Sequence, residues 1–367
     1  MKISTLLFLL SPILLHASFL RVPFEGIRQT GMGNAFVAVA DDKHALFYNP
    51  AALARMKQVH FDLFDLSLGV DSNDTLQRIK NATFNGEWAG LLRPDRAQYL
   101  RFTVNPTFYA PYFGVGFYEN FQSFLEISSV NILPGIDIPQ IDTFGANDLG
   151  VITGVGIPLG DYLSVGVSFR LLHRTAIDTT ITLQDILAQL GLTETDFYGA
   201  IYRQLSRTTG TGYGVAANVS TLMQIPLGPK APIFKLGATL EDVGRTTFRG
   251  IAGAPPPPSI PMTANIGTAV TYAMAKNNEF NLALDIRQIL NAQPVAKMLH
   301  LGLEYKGPIV SLRTGLYEGY PTFGFTFRAL PHTRVNFSTY SKELGSDWWQ
   351  KEMRLYFIQL VIGFNPI

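Results

Sequence analysis

The feature that most constrains this chain is a strict alternation of apolar and polar side chains that recurs through its last third. Between residues 279 and 287 every second side chain is apolar, namely Phe280, Leu282, Leu284 and Ile286. Residues 299–306 and 310–317 repeat the pattern. A period of two is the signature of a β-strand with two different faces. Such strands belong either to a soluble sandwich with its apolar face inward, or to a membrane barrel with its apolar face in lipid.

The start of the chain indicates export. Lys2 precedes an apolar stretch over residues 3–15, and Ala17 and Ser18 provide small residues for cleavage. This layout predicts a secretory signal peptide over residues 1–18, and an uncleaved anchor or a buried helix is the alternative. The chain has no cysteine, so it has neither a disulfide framework nor a cysteine for lipid attachment.

The composition favours the membrane barrel. After residue 18 no apolar stretch of about 20 residues recurs, yet 47% of all residues are hydrophobic and only 16% are charged. In a barrel wall each strand contributes every second residue to the lipid-facing surface. The formal net charge of +1 gives no indication of nucleic-acid binding. We therefore expect a protein in contact with the outer-membrane lipid of a Gram-negative-type cell, with a soluble periplasmic sandwich as the alternative.

Counting the alternating segments gives about 14 strands, an even number typical of outer-membrane barrels. The expected strands lie near 58–70, 98–109, 112–130, 148–157, 161–174, 210–221, 232–242, 262–274, 279–287, 298–306, 309–317, 322–329, 332–340 and 352–364. Tight links alternate with longer ones near 71–97, 131–147, 175–209, 243–261, 288–297 and 341–351. Short periplasmic turns and long outer loops are the rule in such barrels, with the short link at 318–320 as an expected outer exception. The fold prediction is an all-β, antiparallel outer-membrane β-barrel.

The third expected strand, 112–130, interrupts the alternation. Its middle carries Glu119 and Asn120 in succession. This predicts a bulge or an inward kink at these two residues. Two strands joined by a turn at Asn120 are the alternative, which would make the strand count odd.

The segment before the first strand, residues 19–57, does not alternate and is rich in small residues. We expect it to fold into the barrel lumen as a hatch, with the barrel formed by residues 58–367. Asn49-Pro50 forces a non-helical residue just before a helix start. The candidate gating residues are Gly31, Gly33, Asp41, Asp42, Asn49, Pro50 and Ala51.

This segment resembles the N-terminal hatch of the long-chain fatty-acid transporter (FadL-like) superfamily. The matching motifs are Gly31-Met32-Gly33-x-Ala35, Ala40-Asp41-Asp42 and Asn49-Pro50-Ala51. The order of signal, hatch and about 14 strands agrees along the whole chain. The runs GMGNAFVAVADD, PPPPSIPMTANIG, LALDIRQIL and LHLGLEY are similar to a branch that includes type IX secretion (PorV-like) and plasmid TraF-like proteins.

The resemblance implies a hatch-plugged barrel that passively takes up hydrophobic small molecules such as long-chain fatty acids, with no cofactor. In that superfamily the ligand enters an apolar outer groove, moves to a lumenal pocket and leaves sideways through the wall. The PorV-like and TraF-like branch implies an alternative function. The chain would then be a barrel that binds a partner protein in secretion or conjugative transfer.

The connection over residues 175–209 predicts a short helical outer loop. Thr182-x-x-Asp185 and Thr193-x-x-Asp196 approximate capping boxes. Apolar residues follow at helical spacing, namely Ile186, Leu187, Leu190, Phe197, Ile201 and Leu205. These side chains either pack together as a lid or form an apolar groove that receives the ligand.

The polar faces of the last strands carry charges of both signs. The candidate lumenal residues are Asp285, His300, Glu304, Arg313 and Arg328. If pairing centres on the tight turns, Glu279 lies opposite Lys306, His300 lies opposite Asp285, and Glu304 lies diagonal to Arg313. These residues either form an ion-pair network, or Arg313 or Arg328 binds a ligand carboxylate.

No motif indicates an enzyme. The sequence lacks Gly-x-Ser-x-Gly, His-Glu-x-x-His and a phosphate-binding loop, and its six histidines lack metal-ligand spacing. His300 and Ser311 on adjacent lumenal faces leave an acyl hydrolase as an alternative. We expect no catalytic activity, no cofactor and no metal.

Overall fold

The alternating segments pair in sequence order into one antiparallel sheet that closes on itself. The computed structural model describes residues 24–85, 97–133, 136–182, 185, 203–251, 253–275, 278–291, 293–345 and 348–364. The strands are β1 (His60–Val70), β2 (Gln98–Val104), β3 (Thr107–Ala110), β4 (Phe113–Leu133), β5 (Ile136–Leu159), β6 (Leu163–Thr182), β7 (Gly210–Pro226), β8 (Ile233–Glu241), β9 (Phe248–Gly250), β10 (Thr263–Ala275), β11 (Asn278–Ile286), β12 (Leu299–Lys306), β13 (Val310–Tyr317), β14 (Tyr320–Leu330), β15 (Thr333–Glu343) and β16 (Glu352–Phe364).

The ring closes between the last strand and the first. β16 pairs with β1, from Phe364 opposite Phe61 to Tyr356 opposite Val70. β2 and β3 occupy one position between β1 and β4, and β9 pairs with the end of β7 beyond β8. The barrel therefore has 14 strands, which confirms the predicted architecture. Closure leaves no sheet edge around the wall, as lipid requires.

The two faces of the wall are reversed relative to a soluble protein. On β12 the exposed side chains include Leu299, Leu301 and Tyr305, whereas His300 and Glu304 are buried on the other face. A soluble sandwich buries its apolar face and exposes its polar face. The observed arrangement is that of a barrel with an apolar outer surface and a polar lumen, so the sandwich alternative is wrong.

Helices are few and short in the described residues. They are α1 (Ile27–Gly31), α2 (Ala45–Tyr48), a 3₁₀ helix (Pro50–Arg55), α3 (Asn73–Asn85) and α4 (Val295–Met298). Residues 203–208 are also helical. In the parts of the chain that the structure describes, no helix is both long enough and apolar enough to cross a membrane.

The connections define two ends of the barrel. At the short-turn end, β3–β4, β5–β6, β12–β13 and β14–β15 follow each other closely. The long-loop end carries the connections over 71–97, 183–209, 242–262, 287–298 and 344–351, together with the short link between β13 and β14.

The expected long loop at 131–147 is wrong. These residues belong largely to β4 and β5, which pair as far as Leu133 opposite Ile136, with one register shift after Asn131. The neighbouring strand β6 likewise continues to Thr182, past the expected end at 174. The outward positions Thr143, Gly145 and Asn147 of β5 are polar or small. We attribute this to the strands extending beyond the lipid-facing band, where no apolar outer face is needed.

The expected kink at Glu119 and Asn120 is also wrong, as is the two-strand alternative. β4 pairs with β5 in continuous register through this region, with Asn120 opposite Asp148. Asn120 is buried toward the lumen, and Glu119 lies on the outer face, where Asn147 Nδ2 donates to its Oε1 at 3.3 Å. The alternation fails because an outward position carries a glutamate. On the other side of β4 the strand is divided into β2 and β3 at Asn105-Pro106, where Pro106 lacks an N–H. Phe117 N of β4 still donates to the Pro106 carbonyl at 3.0 Å.

Candidate functional site

The described residues before β1 begin at Phe24, and most of them are buried against the inward side of the wall. We call residues 24–56 the N-terminal segment, and within it residues 24–40 and 43–54 are all buried. α1 contacts β13, β14, β15 and β16, and the 3₁₀ helix contacts β4, β5, β6 and β7. The segment therefore meets inward-facing residues on opposite sides of the ring.

Glycines allow the segment to approach the wall closely. Gly33 has φ +63°, and a Cβ at this position would lie 2.3 Å from the Leu301 carbonyl oxygen. A Cβ on Gly31 would lie 3.1 Å from the Cα of Gly324 on β14. Thr322 Oγ1 accepts from Gly33 N at 3.1 Å and donates to the Gly31 carbonyl at 3.0 Å. Both candidate glycines thus lie where backbone meets backbone.

Asn49 connects three parts of the structure. Its Oδ1 accepts from Ala51 N at 3.2 Å and so caps the 3₁₀ helix, whose first residue is Pro50. Its Nδ2 donates to the Val37 carbonyl at 2.8 Å and to the Thr221 carbonyl of β7 at 3.2 Å. Asn49 is completely buried, so these hydrogen bonds are shielded from water.

Asp285 and His300 hold the turn between α1 and α2. Asp285 Oδ2 accepts from the backbone N–H groups of Phe36 and Val37 at 2.6 and 2.8 Å. His300 Nδ1 lies 2.7 Å from the Gly33 carbonyl, to which a protonated nitrogen donates. The register places Asp285 opposite His300, as expected from the tight turns. The two residues face the segment side by side.

A second contact is ionic. The Arg28 guanidinium donates to both oxygens of Glu304, at 2.8 and 2.6 Å, and also contacts Asp41 and Asp42. Arg313 Nε donates to the same Glu304 at 2.7 Å. Glu304 lies directly opposite Arg313, so the expected diagonal relation is wrong by two residues. Glu279 lies opposite Lys306, as expected. An ion-pair network centred on Glu304 therefore joins the segment to the wall.

Sequence reasoning identified Asp41 and Asp42 of the segment but missed its other charged residues, Glu25, Arg28 and Lys43. Glu25 is buried and accepts hydrogen bonds from Tyr317 at 2.6 Å and Tyr340 at 3.1 Å. It also forms ion pairs with Arg101 at 3.3 Å and Lys342 at 3.1 Å. One signal in the sequence could have indicated these contacts. The charges in this segment of mostly small residues follow neither a helical nor a strand period, so they do not form one solvent-exposed face.

The lumen has two different halves. In the half toward the long loops the inward side chains form an aromatic and aliphatic cluster beside buried charges such as Glu25, Arg101 and Lys342. The cluster consists of Tyr99, Phe124, Phe144, Ala146, Ala176, Tyr317, Tyr340, Met353, Leu355 and Phe357, together with Ile27 of α1. A cavity of about 600 Å³ adjoins this half, and its lining is half charged, from Asp71, Lys351, Glu352 and Arg354. In the half toward the short turns a cavity of about 270 Å³ is lined mainly by charged side chains. The segment separates these two environments.

The predicted outer loop is only partly described. Ile186, Leu187, Leu190, Phe197 and Ile201 lie outside the described residues, as does the capping box at Thr193 and Asp196. The first capping box is formed, since Thr182 N donates to Asp185 Oδ2 at 2.9 Å and Asp185 N donates to Thr182 Oγ1 at 3.3 Å. Leu205 packs with Leu125, Ile127, Ile141 and Ile181 of the extended strands.

The residues of the hydrolase alternative do not meet. Ser311 lies opposite Lys306 and accepts from Arg328 Nη1 at 2.9 Å, whereas His300 lies opposite Tyr317. A nucleophile and its base need direct hydrogen-bond contact. Among the described residues, no group of three or more His, Asp or Glu side chains has a metal-binding arrangement.

No family model matches the sequence, and no curated protein matches it. The fold is similar to the CymD monoaromatic hydrocarbon channel, at 12% identity and a TM-score of 0.48, over 93% of this chain and 97% of that one. It is also similar to the Pseudomonas putida toluene transporter TodX, at 13% identity and a TM-score of 0.43, over 92% and 97%. A Pseudomonas aeruginosa FadL homologue gives 11% identity and a TM-score of 0.38, over 94% and 99%.

Proposed function

We propose that this chain is an outer-membrane channel for hydrophobic small molecules, with residues 1–18 as a cleaved signal peptide and the N-terminal segment as a hatch. The observation that carries the proposal is the aromatic lining of the long-loop half of the lumen. A barrel that passes only hydrated solutes has polar inner walls throughout. Here Phe124, Phe144 and Phe357 face inward in the same apolar cluster as Ile27 of the segment.

The hatch role rests on how the segment is held. Besides its apolar packing, its contacts with the wall include hydrogen bonds and ion pairs through Asn49, Asp285 and Glu304, each of which can break without unfolding the strands. A segment held only by apolar packing would have no such discrete contacts to release. A ligand that binds the aromatic half is expected to shift the segment only if it favours the displaced state. Long-chain fatty acids and small aromatic hydrocarbons both belong to the proposed ligand class.

Uptake by cells tests the proposal, because the outer leaflet of an outer membrane resists hydrophobic molecules. The full chain is produced in a Gram-negative host that lacks its own channels of this kind, and uptake of labelled oleate and toluene is measured. We expect faster uptake than in cells with an empty vector. Phe144→Arg, which puts a charge into the aromatic half, should abolish the gain, whereas Phe325→Tyr on the outer face should retain it. Uptake equal to the empty vector for both molecules contradicts the proposal.

A second candidate function is partner binding in secretion or conjugative transfer. The observation that favours it is the length of β4, β5 and β6, which have 21, 24 and 20 residues compared with 8 in β12. Such strands extend a sheet beyond the membrane at the long-loop end, where a partner has access. Copurification of one defined protein, lost on shortening β4 and β5 to residues 113–125 and 143–159, would support this function. Copurification of none would leave only the channel.

A further inference from the structure

The short-turn half of the lumen contains a cavity with an excess of positive side chains. Its volume is about 270 Å³, and it lies on the other side of the N-terminal segment from the aromatic half. Three aspartates line it, namely Asp41, Asp42 and Asp62. The cationic side chains that line it are Arg28, Lys43, Lys306, Arg313, Arg328 and Arg334. What this cavity can bind depends on which of the cations already have partners.

Most of these cations are paired. Arg28 and Arg313 share Glu304, and the other paired cations contact aspartate or glutamate, namely Lys43 with Asp62 and Asp65, Lys306 with Asp41 and Glu279, and Arg334 with Asp62. Arg313 is buried, and its Nη1 also donates to Thr326 at 2.8 Å. Its guanidinium therefore has an anionic partner and a neutral one already.

Arg328 differs from the others. Its Nη1 donates to the Gly307 carbonyl at 3.2 Å and to Ser311 Oγ at 2.9 Å, and in the described part of the chain it forms no ion pair. A guanidinium has five N–H donors in one plane. Both neutral contacts of Arg328 use Nη1, so its Nε and Nη2 groups can donate to an anion.

We propose that this cavity is a carboxylate-binding site in which Arg328 recognises the ligand, and that the molecules handled by the barrel include organic acids. A planar guanidinium binds a carboxylate through two parallel hydrogen bonds, which a single cationic amine does not reproduce. The rings of His60 and Tyr109 stack at 4.8 Å and line the same cavity, so they offer an aromatic surface beside the charge. An aromatic monocarboxylate suits both features. Carboxylate binding at this site is independent of the proposed function, and only its role in transport rests on that function.

Benzoate and benzamide form a matched pair of probes, because they share a shape and differ in charge. Each is titrated into the purified full-length protein in detergent, with binding followed by calorimetry. We expect benzoate to bind about tenfold or more tightly than benzamide, in line with charge-assisted hydrogen bonds. Arg328→Gln should weaken benzoate binding by a similar factor and leave benzamide unchanged. Arg328→Lys should recover part of the loss.

Arg354→Gln is the control, because Arg354 is a half-buried arginine at the opposite end of the barrel that contacts Glu352 and the Pro321 carbonyl. Heat-modifiable migration on gels checks that every variant is folded. Equal affinity for the two probes, or unchanged benzoate binding in Arg328→Gln, overturns the inference. Toluene uptake separates it from the proposed function. Toluene uptake without benzoate binding refutes the carboxylate site alone, and benzoate binding without uptake of any hydrophobic molecule refutes the channel alone.

Discussion

At the scale of single residues, the contacts between segment and wall depend on a few side chains that do several things at once. Asn49 caps the 3₁₀ helix, fixes Val37 and reaches β7, all from a completely buried position. Removing such a group leaves buried backbone partners unsatisfied, at a cost of about 1–3 kcal/mol. Because β7 keeps its ladder with β6, the cost should fall on the segment and leave the wall intact.

We therefore expect Asn49→Ala to loosen the N-terminal segment without unfolding the barrel. The chain has no cysteine, so a single cysteine introduced at Ala52, which is buried in the 3₁₀ helix, reports on the segment without background. Its labelling by a hydrophilic thiol reagent should be about tenfold faster or more in the Asn49→Ala background, the factor equivalent to about 1.4 kcal/mol. Asn85→Ala, on the exposed end of α3, should leave the labelling rate unchanged. Equal rates in all three proteins would contradict a holding role for Asn49.

At the scale of elements, the strands and their faces followed from the sequence because a period of two is a local property. The turns then placed Glu279 opposite Lys306 and Asp285 opposite His300. The continuation of β4 and β5 toward the long-loop end was not predicted, because strands outside the lipid-facing band do not need an apolar outer face. The partners of the segment were also beyond reach, since Arg28 and Glu304 are separated by 276 positions. Only the folded ring brings such residues together.

Glu318, a buried glutamate in the link between β13 and β14, connects this link with the loop after β15. Burial raises the pKa of Glu318 to about 7, and nearby Lys342 and Lys297 only partly oppose that shift, while Glu25 adds to it. Glu318 Oε2 accepts from Glu343 N at 3.0 Å, and the Glu343 carboxylate in turn holds the N–H groups of Gly345, Gln350 and Lys351. Because the pKa is raised on folding, the stabilisation from Glu318 is complete below pH 4.5 and is lost as the pH rises through about 7.

We expect the loop over residues 344–351 to open more readily at pH 8 than at pH 5. Hydrogen exchange of the backbone amides of Gly345 and Lys351, corrected for the intrinsic effect of pH, should show less protection at the higher pH. Glu318→Gln should remove this difference, because its amide does not ionise in this range. An exchange profile in which the variant and the parent protein change equally with pH would rule out Glu318 as the cause.

At the scale of the whole molecule, the barrel is defined by which face of each strand meets lipid. The outer surface carries apolar side chains all around the ring, whereas the polar residues and the N-terminal segment fill the interior. The free energy of the folded state then depends on the depth of each outer residue in the bilayer. A charge placed at mid-depth is costly, and the same charge near a turn can reach water.

Leu301→Arg and Leu330→Arg test this arrangement directly. Leu301 is an exposed outer residue in the middle of β12, and Leu330 is an exposed residue that ends β14 at the short turn. We expect Leu301→Arg to lower the free energy of unfolding from lipid vesicles by about 2–4 kcal/mol, and Leu330→Arg by about 0–1 kcal/mol. Chemical denaturation in vesicles measures both. In a soluble fold the two exposed leucines would tolerate arginine equally, so equal values, or a mature protein that stays folded in buffer without detergent, would refute the membrane barrel.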